Sequence, residues 1–471
     1  RKSDEASSLF RATTVETNNP MPAAKRRASE VLVDQAFPIP AQKALTKPVT
    51  MTVNGTVLWT DSAGNTHPLP GAKVEIYDDD ILGDDLLQTT TTNASGMYSV
   101  VVDHDDVVEG PDVYVKVLAS SSVADVKPDT ASGSTYFMQS TVHEDQADGS
   151  TLVVNLTADN SSIGGQAFSV HHALVAGGAY ISLLNGSAPA KLTTRFPTTE
   201  STSLFNGSEL HILQLDRWDW DVTLHEYGHY VMDAYNFEDN PGGSHSSSAN
   251  LSTSRGSKDV GVRLAWGEGW PTFFAVSGLH QMGFASLGIP NVGDMQYQDT
   301  EDTTITNHLE NDIGVGEDNE LSVMTTLWDL VDAAADGEEI AMSPRSLFQS
   351  IKNSGATKIG DVWDALVAGK ANEEKASHGK LFGLHKIAPE QLTPSDRSTL
   401  DTTTNFTWNK NGAGAGNPLN DNHVRFFASN FTTETHDASL GNVATYTPSA
   451  ADVDAALSEG SLVRWVATAK I

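Results

Sequence analysis

The segment Asp221-Val-Thr-Leu-His-Glu-Tyr-Gly-His-Tyr-Val-Met-Asp233 contains two histidines spaced four residues apart, His225 and His229. Residues at this spacing share one face of a helix, so both imidazoles can reach the same metal ion. Glu226 lies one residue further round the helix and points toward the open position of such a metal, where a general base is needed. The segment therefore predicts a zinc-binding helix and zinc-dependent peptide hydrolysis.

The residues around the two histidines have the pattern of an amphipathic helix. Leu224, Val231 and Met232 have the apolar spacing of a buried helical face. Asp219 and Asp221 favour a helix start nearby, because acidic side chains are stabilising at a helix N-terminus. The alternative interpretation is a core helix whose two histidines are satisfied by hydrogen bonds.

A second segment offers a third metal ligand. A catalytic zinc usually takes three protein ligands and keeps a fourth position open, so one more side chain is needed. Glu268, in Trp-Gly-Glu-Gly-Trp-Pro, is the candidate, and Pro271 predicts that a helix begins close to it. Asp233 is an alternative ligand, although a side chain one turn beyond His229 is better placed to orient an imidazole. A surface carboxylate at a helix N-terminus is the non-functional reading of Glu268.

Together the two motifs, His-Glu-Tyr-x-His and Gly-Glu-Gly-Trp, resemble those of the fungalysin branch of the thermolysin-like metallopeptidases, which are of the gluzincin type. The resemblance covers roughly residues 165 to 370 and includes a weaker similarity over residues 320 to 330. It implies an α+β thermolysin-like domain with zinc on the HExxH helix. The site residues that it implies are His225, His229 and Glu268 as zinc ligands and Glu226 as the catalytic base.

The chain departs from that family at two places. Thr272 stands where the family has an aspartate that supports the metal ligands, and Asp233 is a candidate substitute. Gly316 stands nearest to the family's histidine that stabilises the tetrahedral intermediate. The closest upstream histidine, His308, is our catalytic candidate for that role, and Tyr297 is the second candidate. A solvated loop histidine is the other reading of His308.

Composition restricts the partners and cofactors. The 61 acidic residues exceed the 29 basic residues and give a formal charge of −32, which argues against nucleic acid or an anionic membrane as partner. No run approaches eighteen apolar residues, so no membrane span is expected. The absence of cysteine leaves only histidine and carboxylate ligands for zinc. The acidic run at residues 78 to 85 is a candidate calcium site or a solvated loop.

Changes in the periodicity of apolar residues divide the chain into four segments. After a non-periodic N-terminal stretch, alternating β-formers predict strands over residues 53–59, 71–77, 96–102 and 113–118. Beyond the two motifs, periodicity and end signals predict helices over 320–335, 343–355 and 359–367. Further strands are predicted over 406–408, 423–427 and 462–467. The segments are an N-terminal extension or propeptide remnant (1–47), a β-sandwich resembling transthyretin-like or carboxypeptidase-regulatory-like modules (48–160), a zinc metallopeptidase domain (161–390) and a fibronectin III-like β-sandwich (391–471).

The sequence thus predicts a multidomain secreted zinc peptidase that acts on a protein or peptide substrate. Extracellular location is expected because both sandwich types are typical of extracellular chains. The alternative function is a non-catalytic extracellular adhesion or glycan-binding scaffold that carries a degenerate peptidase domain. Zinc binding together with peptide cleavage separates the two.

Overall fold

The computed structural model describes residues 51–80, 83–103, 110–283, 287, 316–332, 340–370, 372–385, 387, 390–393, 400, 402–409, 421–428, 434–440, 445–458 and 463–470. The predicted extension at 1–47 and the candidates Tyr297 and His308 lie outside these residues. The chain divides into two compact units, one formed by Arg1–Ala234 with Phe274–Asp299 and the other by Tyr235–Phe273 with Thr300–Ile471.

The described residues contain both strands and helices. The strands are β1 (Met51–Thr60), β2 (Thr66–Pro68), β3 (Lys73–Asp78), β4 (Asp85–Thr91), β5 (Met97–Val102), β6 (Val113–Leu118), β7 (Ala124–Lys127), β8 (Phe137–Gln139), β9 (Ser150–Val153), β10 (Leu156–Ala158), β11 (Leu192–Arg195), β12 (Leu204–Phe205), β13 (Glu209–His211), β14 (Glu390–Thr393), β15 (Phe406–Asn409), β16 (Asp421–Ala428), β17 (Glu434–Ser439), β18 (Thr445–Tyr446) and β19 (Val463–Lys470). The helices are α1 (Ile163–Asn185), α2 (Trp220–Ala234), α3 (Leu251–Arg255), α4 (Lys258–Gln281), α5 (Glu320–Asp329), α6 (Pro344–Ser354), α7 (Ile359–Val367), α8 (Asn372–Leu384) and α9 (Ala450–Ala456).

Two sheets occupy the start of the first unit. The long strand β1 pairs with β5 and β9 over its first half and with β2 and β10 over its second half. The other sheet is antiparallel, in the order β4-β3-β6-β8. Val53, Val57 and Trp59 of β1 are fully buried, at the two-residue period of a strand with one face in the core. The predicted strands of this region correspond to β1, β3, β5 and β6.

A third sheet of the same unit has the order β12-β13-β11-β7. Strands β7, β11 and β13 are parallel, and the short strand β12 pairs antiparallel with β13 at the edge. Strand β7 belongs to the segment that the sequence assigns to the first sandwich, whereas β11 belongs to the predicted peptidase segment. Long-range pairing thus joins the two segments in one sheet, and their boundary stays a prediction.

Helix α1 forms the core against which the histidine-bearing helix α2 lies. The Ser162 side chain caps its N-terminus by accepting the backbone N–H of Gly165, and Gly186 ends it in the left-handed conformation. Among the helices that the structure describes, α1 is long and apolar enough to cross a membrane, and 89% of that apolar window is buried inside the protein.

The helices of the second unit surround a buried aromatic cluster. The rings of Phe237, Trp270 and Phe348 pack with centroids 4.9 to 6.4 Å apart, which is the range that aromatic pairs prefer. The Trp266 indole N–H donates to the Phe237 carbonyl at 3.2 Å. Helices α6 and α7 match their predicted ranges. The helix predicted over residues 320 to 335 ends at Asp329.

Two small antiparallel sheets, β14-β15-β18 and β17-β16-β19, form the end of the described chain. Phe406, Val424, Phe426 and Ala456 make a buried cluster there, with Tyr446 packed against it. The predicted strands near residues 406, 423 and 462 are present as β15, β16 and β19. Several sheets with helices between them confirm a mixed α/β multidomain chain, and the fibronectin III-like assignment stays a prediction.

Candidate metal centre

The two histidines of the first motif lie on helix α2. The helix begins at Trp220, between Asp219 and Asp221. The Nε2 atoms of His225 and His229 are 3.2 Å apart, and their rings meet edge to face. His229 is only 9% exposed, whereas His225 is half-buried. One turn of helix therefore brings both imidazoles to the same point.

Close packing against α1 fixes the position of α2. A Cβ atom added at Gly177 of α1 would lie 2.7 Å from the Leu224 side chain and 3.0 Å from that of Tyr227, so only glycine permits this approach. The Trp220 indole N–H donates to the hydroxyl of Ser169 at 3.2 Å. These contacts fix the position of α2, and of the face that carries the histidines, relative to α1.

The predicted base, Glu226, is half-buried on α2. Its Oε2 atom accepts the backbone N–H of Phe205, at the edge strand β12, over 2.9 Å. The negative charge of Glu226 also acts on the nearby Asp216. Burial raises the pKa of Asp216, the hydrogen bond from Ser203 lowers it, and the charge of Glu226 raises it further. The hydrogen bond from the Phe205 backbone N–H thus orients the Glu226 carboxylate through its Oε2 atom.

The structure corrects the prediction that Glu268 lies at a helix beginning. Helix α4 starts at Lys258 and runs through Pro271, so Glu268 lies in its interior. The reason is that Val262, Leu264 and other apolar residues before Glu268 are buried as well. Their packing maintains the helix across a proline that would end it in isolation.

Glu268 nevertheless comes together with the two histidines. One ligand atom from each of His225, His229 and Glu268 lies within 4.8 Å of the others. Among the residues that the structure describes, this is the group of three or more histidine or acidic side chains close enough to hold a metal ion. Glu268 is 9% exposed.

The two glycines that flank Glu268 allow close neighbours on both sides. A Cβ atom at Gly267 would lie 2.6 Å from the Asn240 side chain, and one at Gly269 would lie 2.8 Å from the Glu320 carbonyl oxygen. The Asn240 side-chain NH₂ donates to Glu268 Oε1 at 3.0 Å. The Gly-Glu-Gly sequence therefore has a packing reason at each glycine.

A third histidine, His245, lies beside Glu268. Its Nε2 atom is 3.5 Å from Glu268 Oε2 and 3.6 Å from Glu320 Oε2. On the other side of the ring, Nδ1 is 3.1 Å from the carbonyl oxygen of Gly243, which is a distance for donation to that oxygen. Neither Asn240 nor His245 is predicted from the sequence, where the only local signal is a histidine among glycines and serines.

A buried polar run, residues 317 to 320, anchors the segment that carries these two residues. Asp318 is fully buried and accepts the Asn250 side-chain NH₂ at 2.9 Å and the Ser252 backbone N–H at 3.1 Å. Lys258 pairs with Glu317 at 3.0 Å, while burial raises the pKa of Glu317. These hydrogen bonds and this ion pair thus connect the residues before α5 to the chain between α2 and α4.

Other sequence candidates have different surroundings. Asp233 is exposed on α2 and is not a member of the ligand group. Thr272, at the position of the family's aspartate, donates its hydroxyl to the backbone carbonyl of Glu268 at 3.0 Å. Gly316 lies in the turn before α5, while His308 and Tyr297 lie outside the described residues.

The acidic run proposed for calcium makes other contacts. Asp78 accepts the backbone N–H of Asp112, and Asp84 accepts the hydroxyl of Tyr114, each at 2.7 Å. In the described part of this run no three acidic side chains form a close ligand group. Calcium binding stays a prediction.

Comparison with known proteins identifies no family. No family model matches the sequence, and no curated protein matches it. A proposed carbohydrate-binding protein from Pseudomonas aeruginosa is 15% identical over 24% of this chain and 92% of that chain, with a TM-score of 0.14. A 9R-lipoxygenase from Cyanothece is 11% identical over 96% of this chain and 83% of that chain, with a TM-score of 0.17. Neither similarity is close enough to support a fold or a function.

Proposed function

We propose that this protein is a zinc-dependent peptidase in which His225, His229 and Glu268 hold the metal and Glu226 is the general base. The observation that carries the proposal is the convergence of the three ligand atoms within 4.8 Å, with Glu226 next to His225 on the same helix. The thermolysin-like fold, the peptide substrate and the secreted location are part of the proposal and are supported by the two-motif resemblance.

The donor set suits zinc. Two imidazoles and one carboxylate are the ligands of a common class of catalytic zinc sites, which keep a fourth position open. At zinc–nitrogen distances of about 2.0–2.1 Å, neighbouring tetrahedral ligands are about 3.4 Å apart. The 3.2 Å between the Nε2 atoms of His225 and His229 is close to that separation.

Bound zinc would supply a Lewis acid that lowers the pKa of water and polarises a peptide carbonyl. The chain's own contribution is proton transfer at Glu226. Because Oε2 accepts the Phe205 N–H, Oε1 is the atom left to take a proton from the attacking water. The protonated carboxyl then passes that proton to the leaving amine. His308 remains the predicted donor to the developing oxyanion.

The test compares the wild-type protein with Glu226→Gln. Metal content is measured by mass spectrometry, and cleavage is measured on casein with and without a chelator. We expect one zinc in both proteins and loss of most cleavage in the variant, because Glu226 serves the water rather than the metal. A fully active variant, or cleavage that is indifferent to the chelator, would contradict the mechanism. Zinc binding without any cleavage would favour the scaffold alternative.

A further inference from the structure

The side chain of Asn240 has a defined orientation next to Glu268. Its NH₂ donates to Glu268 Oε1 at 3.0 Å, and its Oδ1 accepts the backbone N–H of Gly242 at 2.8 Å. An amide that uses its oxygen for a backbone N–H has only its NH₂ available on the other side. The hydrogen bond to Glu268 is therefore specified by the local backbone.

The helix that carries Glu268 is shaped to receive Asn240. A Cβ atom at Gly267 would lie 2.6 Å from both Cβ and Cγ of Asn240, which is closer than carbon atoms approach. The residue immediately before the ligand must therefore be glycine for the amide to reach the carboxylate. This requirement links the first glycine of Gly-Glu-Gly to a residue 28 positions upstream.

Further contacts hold the turn that presents Asn240. The Arg255 guanidinium, at the end of α3, donates to the Gly242 carbonyl at 3.2 Å and to the Ser244 carbonyl at 3.3 Å. On the opposite oxygen of Glu268, Oε2, lies the imidazole of His245 at 3.5 Å. Glu268 thus has one oxygen bonded to an amide and the other next to a ring nitrogen.

We propose that Asn240 is a positioning residue, which holds the Glu268 carboxylate in the orientation that binds the metal. This inference rests on the proposed zinc site. A carboxylate held by a hydrogen bond loses less rotational freedom when it binds a metal than a free one does. Loss of such an outer partner typically lowers metal affinity by about 10- to 100-fold.

The experiment measures zinc affinity by competition with a chromophoric chelator. Asn240→Leu keeps the approximate size of the side chain and removes its donor. Asn65→Leu is the matched control, because Asn65 donates the same kind of bond to the carboxylate of Asp61 at 3.1 Å and neither residue belongs to the ligand group. The visible spectrum of the cobalt-substituted protein gives a second readout, which reports the geometry of the ligands. Circular dichroism confirms that each variant folds.

We expect a zinc affinity about 10- to 100-fold weaker and an altered cobalt spectrum in Asn240→Leu, with both unchanged in Asn65→Leu. Unchanged affinity and spectrum in Asn240→Leu, or equal losses in both variants, would overturn the proposal. If Asn240→Leu does not fold, zinc affinity is measured on Gly267→Ala instead. Its added Cβ atom displaces the Asn240 side chain, although the side-chain amide itself is still present. Weaker zinc binding there supports the proposal, and wild-type affinity refutes it. A wild-type protein that binds no zinc would instead refute the proposed function itself.

Discussion

Acid should destabilise the first unit through a histidine buried in its core. His171, on α1, is fully buried, and burial lowers its pKa from 6.5 to about 4. Between these two pH values the unfolded chain binds a proton that the folded chain does not. Stability from His171 is therefore present above pH 6.5 and is lost as the pH falls toward 4.

The size of the effect follows from the two pKa values. At 1.36 kcal/mol for each pKa unit, lowering the pH from 7 to 5 removes about 2 kcal/mol of unfolding free energy through His171 alone. His171→Gln cannot titrate, so the difference between its stabilities at pH 7 and pH 5 is expected to be smaller than that of the wild type by about this amount. The absolute stability of the variant can be lower at both pH values, because the comparison uses only the difference.

The assay is urea unfolding at pH 7 and pH 5, followed by tryptophan fluorescence. A chelator is present throughout, so that release of metal at low pH does not contribute to the result. Trp59 and Trp220 lie beside His172, the neighbour of His171, and report on this unit. Equal pH dependence in wild type and variant would show that His171 is not held neutral by burial.

Two further predictions concern the candidate metal centre. Glu268→Ala should release zinc. Asp233→Ala, at an exposed position outside the ligand group, should keep zinc and weaken its binding by at most about 10- to 100-fold. Metal content after dialysis distinguishes the two variants. The reverse order would make Asp233 the third ligand. His308→Ala should lower kcat by about 100-fold while zinc content and circular dichroism stay unchanged, since one donor to an oxyanion is worth a few kcal/mol. An unchanged kcat would remove His308 from the reaction.

The first half of the candidate metal centre could be predicted from sequence because its information is local. The spacing of His225 and His229 requires a helix, and the acidic residues before it indicate where that helix begins. The same reasoning placed helices α6 and α7 correctly, since Ser343 and Gly355 cap α6. Glu268 lies close to the two histidines and its role as a ligand stays a prediction, although its position inside α4 was not foreseen.

The remaining features depend on contacts between distant parts of the chain. Pro271 indicates a helix start when it is read locally, but the buried residues on both sides of it extend α4 through the proline. The bond from Asn240 to Glu268 requires a turn at Gly242 and a glycine at position 267, which no periodicity reveals. The pairing of β7 with β11 likewise joins residues more than sixty positions apart. Such pairings follow from tertiary packing rather than from local preference.

The position of a bound metal decides whether His225, His229 and Glu268 form the zinc site. Crystals grown with zinc and measured on both sides of the zinc absorption edge give an anomalous difference map of the protein. We expect one strong peak that lies about 2.0–2.2 Å from an imidazole nitrogen of His225, from one of His229 and from a carboxylate oxygen of Glu268. A fully occupied zinc elsewhere, or a peak at this place that is coordinated by Asp233 instead of Glu268, would contradict it.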